Sequence, residues 1–467
     1  MSLAHPQSPP VDPPGRREWF VLLVALTGTF LATFDLFVVN IAIPAVRADL
    51  RASDAAVELV VSGYAFAYAA GLVTGGRLGD RFGYRRVFVL GMAAFTVASL
   101  LCGLAATPGQ LVAARLFQGL AAAAMVPQVL SLITVTFAAE HRGRATAWFG
   151  ATSGLGALVG QIGGGLLLAA SGLGWRTIFL VNVPFGLVAT ALALRRLPAG
   201  GGRRARLDPI GALAVSLTLA LVLVPLATGR DAGWPWWTWA CLAAAVPIGF
   251  LTIRGQRTLL RRGGEPIINP ELLRNRRYLL LLTASGLFQL YFGAFMFTLT
   301  LLVQNGLGSE PVGAALVFLP QGVLFTAASM LAGRFRRPVM PIGGGLVIAG
   351  LLVLIGLLVG TGGELPSWWL TVPLALLGLG NGFLLSPLIG AALAHVRADQ
   401  AGSASGTLTT AQQFANSLGV TLIGTLFFAI AGTDLAGADI AMTTACAVYL
   451  ALVVAVLALI GSAPRNQ

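Results

Sequence analysis

Long apolar runs broken by short polar stretches make up most of this chain. A helix needs roughly 20 apolar residues to cross a hydrocarbon core of about 30 Å. Fourteen runs of that kind can be read, centred near Leu31, Ala67, Phe95, Ala124, Ala157, Leu187, Leu219, Ala244, Tyr291, Leu324, Gly350, Leu379, Ser417 and Leu450. Backbone groups in lipid must be satisfied within their own segment, so the runs are expected to be helices rather than strands. The predicted fold class is an all-α membrane protein of fourteen transmembrane helices: two six-helix pseudo-symmetric bundles plus two extra central helices. The matching boundaries are a tail over 1–18, a first bundle over 19–196, two extra spans with flanking linkers over 197–277, a second bundle over 278–462 and a tail over 463–467. A single chain of this design is expected to work as a monomer.

Composition agrees with the pattern. Of 467 residues, 57% are hydrophobic and 10% charged, with mean hydropathy +0.84, where soluble domains carry about 25% charged residues. The formal charge of +13 would suggest nucleic acid, yet all thirty basic residues are arginine and their placement follows the membrane. With the N-terminus cytoplasmic, twenty-five fall on that side; Arg47, Arg51, Arg176 and Arg230 fall outside and Arg115 within a span. Retention of cationic loops on the inner face explains the asymmetry, and both termini are placed in the cytoplasm of a cell whose plasma membrane holds the protein. Cys102, Cys241 and Cys446 lie scattered in apolar runs, so neither a disulfide framework nor a metal site can be read. No cofactor is implied. The first run is too long for a cleaved secretory signal and contains Asp35.

Polar side chains are spread unevenly among the runs. Runs three, seven, eight and eleven have no interior amide or charge, and are assigned to the lipid side. Runs one, four, five, nine, ten, twelve and thirteen carry Asp35 and Asn40, Arg115 and Gln118, Gln161, Gln289, Gln321, Asn381, and Gln412, Gln413 and Asn416. Those seven are the expected walls of a lumen. At 1.5 Å per residue, Gln289, Gln321, Asn381, Gln412 and Gln413 lie roughly 10 to 14 residues inside their spans, near the bilayer middle. Midplane polar clustering is where secondary transporters place substrate, although scattered amides also glue helices together. Tyr64, Tyr68, Phe288 and Tyr291 supply aromatic lining.

Asp35 is the acid read as deepest in any span. Counted from Pro44 and Pro108, Asp35 lies about nine residues down run one and Arg115 about seven down run four, so their depths agree within ~3 Å. A pair between them either moves a proton or is a static buried ion pair. Between runs two and three stands Gly76-Arg77-Leu78-Gly79-Asp80-Arg81-Phe82-Gly83-Tyr84-Arg85-Arg86, read as a tight cationic turn in which Gly79 and Gly83 relieve backbone crowding. Gly76, Asp80, Arg81, Gly83, Arg85 and Arg86 form an expected cytoplasmic gate, with Asp80 accepting from a helix N-terminus or pairing with arginine. A degraded counterpart, Leu331 to Pro338, follows the second span of the second half. The linker from Pro266 to Arg277 reads as a short amphipathic segment on the inner surface. Run five carries Gly156, Gly160 and Gly164 four apart, a face suited to close helix contact. Glu58 is expected to be exposed at the outer interface.

The cationic turn resembles the loop between spans two and three of major facilitator superfamily transporters. Asp35 to Pro44, Arg115-Leu116-Phe117-Gln118-Gly119, Trp175 to Gly186 and Gly402 to Gly406 with Gln412-Gln413 resemble signatures of the fourteen-span drug:proton antiporter group in that superfamily. Gly156 to Gly165 is similar to its antiporter motif, with Gln161 where proline is usual. The resemblance implies proton-coupled export of amphipathic organic compounds such as drugs, dyes or antibiotics, with Arg115 associated with proton transfer and Asp80 meeting run thirteen near Gly402. Its partners are then a small organic substrate, protons and the lipid bilayer, and not nucleic acid. A transporter dedicated to one metabolite, and an uncoupled channel or membrane sensor, are the competing readings. An enzyme finds no support in any nucleophile-base set, metal-ligand spacing or phosphate-cradling loop followed by lysine.

Overall fold

The computed structural model describes residues 15–170, 172–198, 208–229, 232–264, 266, 270–332, 339–394, 396, 401–432, 435 and 437–463. Among them are fourteen helices long and apolar enough to cross a membrane, and no strand. In chain order these are α1 (Arg16–Leu50), α2 (Asp54–Phe82), α3 (Tyr84–Leu104), α4 (Pro108–Thr136), α5 (Ala139–Ala170), α6 (Gly174–Arg196) and α7 (Pro209–Thr228). They continue with α8 (Trp236–Arg261), α9 (Arg276–Leu301), α10 (Pro311–Ala332), α11 (Met340–Thr361), α12 (Thr371–Leu393), α13 (Ala401–Ala431) and α14 (Ala438–Ser462). Each holds one of the fourteen centres predicted from hydropathy. The proline-rich start, most of the first linker, Ile267 to Asn269 of the second linker, the counterpart loop from Gly333 to Pro338 and the last four residues lie outside the described residues.

Local chemistry sets where these helices begin. Thr107 caps α4 by accepting from Gln110 N at 3.2 Å, with Pro108 in the first turn where no amide donor is needed. Asp208 does the same for α7 through Gly211 N at 2.8 Å, and Asn275 for α9 through Tyr278 N at 3.1 Å. The cationic segment after α2 departs from expectation. Residues 76–82 are helical, and the chain turns at Gly83 alone, whose φ of +95° favours glycine. Gly79 is therefore a packing residue inside α2, where a Cβ would meet Gln128 Cδ at 2.7 Å. Gln128 in turn donates to the carbonyls of Gly75 (2.7 Å) and Ala124 (2.8 Å), tying α2 to α4.

The two halves repeat one packing scheme. In the first, α1 lies on α5, α2 on α4, and α3 on α4 and α6; in the second, α9 lies on α13, α10 on α12, and α11 on α12 and α14. Lipid offers no hydrophobic drive for helices to associate, so close backbone approach at small residues carries much of this packing. A Cβ at Gly156, Gly160 or Gly164 would stand 2.9, 2.7 or 3.2 Å from the carbonyl oxygens of Phe30, Phe34 and Val38, which is the tight α1–α5 contact that the four-residue glycine spacing predicted. The halves meet where α2 packs on α13 and α5 on α10. Helices α7 and α8 pair with each other, and α7 covers the α2–α13 seam.

An even number of spans puts Gly15 and Ala463 on the same face. Named side-chain contacts between the halves gather away from that face: Thr425 to Glu58, Ser417 to the Ser62 carbonyl, Gln304 to the Ile41 carbonyl, and Arg47 over the Phe428 ring. One apolar core joins both halves there, whereas the core nearer the termini is drawn from the first half only.

Gly160→Leu should force α1 and α5 apart, lowering the melting temperature in detergent and the yield of monodisperse protein. Gly390→Ala, with open space at its Cβ, should leave both unchanged; equal behaviour of the two variants in size-exclusion chromatography and thermal unfolding would argue against the packing account.

Candidate functional site

Helices α1, α4 and α6 bring Asp35, Arg115 and Asn182 together in the interior of the first half. Asp35 and Arg115 are each 0% exposed. The carboxylate accepts from Arg115 Nη1, from Gln118 Nε2 at 2.8 Å and from Asn182 Nδ2 at 3.0 Å. Arg115 also donates through Nε to the Val60 carbonyl at 3.0 Å and through Nη1 to Gln118 Oε1 at 2.6 Å. Its guanidinium lies 4.4 Å from the Tyr64 ring centroid and 5.6 Å from that of Phe179, a geometry that gains cation–π attraction in a dry setting. Gln118 stands one turn from Arg115 on α4 and also donates to Ser99 Oγ at 2.8 Å. A buried charge is tolerable when paired and hydrogen-bonded, and both conditions hold here. Adding a proton to Asp35 would remove the charge that holds Arg115, so the arrangement can couple protonation to movement of α1 against α4.

Matching the depths of Asp35 and Arg115 found the pair, but not its other members. Asn182 carries an amide in the middle of run six, within the Trp175 to Gly186 stretch, and the depth match does not reach it. Ser99 sits on α3, a run set aside as lipid-facing although α3 is largely buried.

The residues expected to line one cavity separate into three groups. Tyr64 belongs to the charge cluster, donating to the Ala32 carbonyl at 3.0 Å, with Tyr68 beside it at a ring distance of 6.2 Å. Tyr291 and Asn381 lie inside the second half, where Asn381 Nδ2 donates to Tyr291 Oη at 3.3 Å, the Tyr291 ring packs on Tyr449 at 5.6 Å, and Thr298 shares a hydrogen bond with Tyr449 at 2.9 Å. Phe288 borders that group, 5.9 Å from Tyr291. The remaining amides are Asn40, Gln161, Gln289, Gln321, Gln412, Gln413 and Asn416, and one of them crosses the seam between the halves, Gln161 Nε2 donating to Met296 Sδ at 3.3 Å. Buried amide atoms without a hydrogen-bond partner among the described residues include Asn40 Oδ1, Gln161 Oε1, Gln289 Oε1, both polar atoms of Gln321, Gln412 Nε2 and Gln413 Oε1. Asn416 packs close to Gly293 of α9. Such atoms are costly to bury; in the charge cluster Gln118 has both amide atoms engaged, while Asn182 Oδ1 and Arg115 Nη2 are likewise without a partner among the described residues.

The gate residues are tied within the first half. Asp80 accepts from Tyr84 Oη at 3.0 Å, Arg85 donates to the Leu194 carbonyl at the end of α6, and Arg81 lies over Phe82 at 5.5 Å. Gly76 faces Pro127 of α4, Gly83 makes the turn, and Arg86 is exposed. Gly402 stands at the start of α13, and residues 397–400 before it lie outside the described residues. Glu58 corrects an expectation: it is 2% exposed rather than open at the interface, with Thr425 Oγ1 3.3 Å from both carboxylate oxygens. A cavity of about 380 Å³ beside α2, α4 and the end of α7, lined by Leu59, Val112, Leu116 and Thr228 among others, contains none of the expected site residues.

Fold and site together define a multi-pass transport protein of the membrane. The family model of the Major Facilitator Superfamily matches residues 25–420, and the chain belongs to that superfamily. It is similar to a probable actinorhodin transporter of Streptomyces coelicolor, 40% identical over 434 residues that cover 90% of this chain and 74% of the relative. It is also similar to a puromycin resistance protein of Streptomyces alboniger, 36% identical over 426 residues covering 88% of this chain and 82% of that one. Among solved structures, an auto-inhibited POT family peptide transporter aligns at a TM-score of 0.71 and 17% identity, covering 97% of this chain and 98% of the other, a likeness of fold alone. Family membership makes this a carrier of small organic substrates and not an enzyme.

Arg115→Met should cost about 3–5 kcal/mol, as expected when a buried pair loses one partner. Asp35→Asn should cost less, because the Val60 carbonyl, Gln118 and two rings still hold the guanidinium, and the double variant should recover part of the Arg115→Met loss. Thermal unfolding in detergent at neutral pH measures all three; equal losses for the two single variants would contradict the assignment.

Proposed function

We propose that this protein exports amphipathic organic compounds across the plasma membrane in exchange for protons, by alternating access of its two halves. The observation that carries the reading is Asp35, a carboxylate enclosed at mid-membrane and held by Arg115, Gln118 and Asn182. Protonation from outside releases Arg115, and the return of the guanidinium to the carboxylate expels the proton on the inner side. Because α1 also packs on α5, and α5 on α10, a shift of α1 reaches the seam between the halves.

Export rather than import is supported by the names of relatives, which include a probable actinorhodin transporter, a puromycin resistance protein and a tetracenomycin C resistance and export protein. The termini face the cytoplasm in this reading, following the arginine asymmetry. The contacts between halves then seal the external side, and the substrate path opens inward. Asn40, Gln161, Gln289, Gln321, Gln412, Gln413 and Asn416 line that path. The chain acts as a monomer, with the first bundle over 19–196, the two extra spans and linkers over 197–277 and the second bundle over 278–462. Asp80, Arg81, Arg85 and Arg86, with Gly76 and Gly83, brace the inner face of the first half during the switch.

In proteoliposomes with an imposed pH gradient, a panel of unrelated organic compounds should provoke proton efflux, and counting protons per molecule moved gives the stoichiometry. Asp35→Asn should abolish gradient-driven transport while the protein stays folded. Unchanged coupling in that variant would remove the residue from the mechanism, and transport indifferent to the gradient would favour a channel.

A further inference from the structure

We propose that the seam between the halves holds a slot for a planar, uncharged aromatic polycycle bearing carbonyl or hydroxyl groups, with Phe292 as its stacking face and Gln161 and Gln321 as its hydrogen-bonding pair. The proposal rests on the transport reading above and names the substrate class for it.

Phe292 of α9 is the centre of a ring ladder. It lies nearly parallel to Phe288 (centroids 5.9 Å apart, planes 12° apart) and to Phe325 of α10 (6.0 Å, 25°), and meets Phe37 of α1 edge-on (6.2 Å, 68°). The ladder thus draws on both halves and crosses the seam. Phe288 is buried, but Phe37, Phe292 and Phe325 keep part of their surface uncovered. Offset-parallel stacks at these separations are the favoured geometry of aromatic pairs, and a flat ring system extends such a stack in a way a saturated chain does not.

The polar groups beside the ladder have the right character. Gln321 is 4% exposed with neither amide atom partnered, and Gln161 is 7% exposed with its carbonyl oxygen unpartnered. Gln321 precedes Phe325 by one turn of α10 and so shares its face. Gln161 follows Gly160, whose missing Cβ would lie 3.2 Å from Phe37 Cβ. Together the two amides offer both donors and acceptors, which match carbonyl and phenol groups on a ring edge. Buried groups of this kind reject a ligand that leaves them unpaired.

Charge selects against cations. Residues 148–170 of α5, 279–306 of α9 with its extension, and 312–332 of α10 contain no acidic or basic side chain. Asp35 is fully enclosed and engaged by three donors within the first half, and Glu58, the buried acid at the α2–α13 contact, lies one turn into α2 with Thr425 Oγ1 3.3 Å from both its carboxylate oxygens. A cation in the slot would be desolvated without a counter-charge, which is expensive.

The test uses the full-length chain in lipid nanodiscs, with 1,8-dihydroxyanthraquinone as the probe and quenching of tryptophan fluorescence as the readout. Phe292→Ala and Gln321→Leu should each weaken binding about tenfold, the equivalent of one lost stacking contact or one probe oxygen left without its hydrogen bond. Phe292→Trp should retain binding, which controls for loss of folding, and neither ethidium nor dodecanol should displace the probe. Unchanged affinity in both weakening variants, or displacement by ethidium at equal concentration, overturns the proposal. If ethidium is pumped in proteoliposomes while the anthraquinone is neither bound nor pumped, the slot falls and the transport reading stands. If the anthraquinone binds as expected but no compound moves with the proton gradient, the slot stands and the transport reading falls.

Discussion

A guanidinium with no exposed surface, in the middle of a membrane, must be matched, and the first half of this molecule is organised around matching Arg115. Hydrocarbon offers nothing to solvate it. The carboxylate of Asp35 neutralises it, the Val60 carbonyl and Gln118 accept from its Nε and Nη1, and the Tyr64 and Phe179 rings lie beside it. Those partners come from α1, α2, α4 and α6, so the pair also dictates how four helices are rotated about their axes. The glycine stripe of α5 keeps α1 from drifting away from this arrangement, because at Gly160 no side chain larger than hydrogen fits against the Phe34 carbonyl.

How far the sequence could be read depended on which coordinate of a helix mattered. Depth along the membrane normal is counted by residues, and it located the Asp35–Arg115 pair. Rotation about the helix axis is not so counted, since each residue turns it by about 100° and a shift of one or two residues in a span boundary reverses the face. Tyr64, Phe288 and Tyr291 therefore read alike as aromatic lining, although the first joins the charge cluster, the third the interior of the other half, and Phe288 stands between Tyr291 and the seam ring Phe292. Composition likewise hid Ser99, whose single hydroxyl made α3 look like a lipid-facing span. Gly79 was misread for a different reason: glycine signals a turn in a soluble loop, but between membrane helices it more often signals contact, here with Gln128. Glu58 was placed at an exposed interface because it stands near a helix end, and α13 covers it.

The two extra helices follow from the same physics in reverse. α8 is largely exposed, with Trp236, Val246 and Leu251 among its uncovered side chains, as suits a helix whose main partner is α7 and whose remaining surface meets acyl chains. α7 rests on α2 and α13 at once, so it touches both halves along the line where they contact. Its attachment to α8 is polar at one end, where Gln256 donates to Asp208 at 2.7 Å. A hairpin held in this way can ride on the seam without being built into either half.

Against the repeat, the fully buried ion pair among the described residues stands in the first half. By the shared packing scheme α9, α12 and α14 correspond to α1, α4 and α6, and the residues that meet at their centre are Tyr291, Asn381 and Tyr449 in place of Asp35, Arg115 and Asn182. The second group is hydrogen-bonded but neutral, so it fixes the rotation of its helices without any group that must change protonation. A neutral centre in the second half beside an ion pair in the first makes the two halves electrostatically unequal although they share one packing scheme. An apolar core joins the halves at the seam, and the hydrogen bonds from Ser417, Gln304 and Thr425 give that otherwise non-directional packing a fixed register.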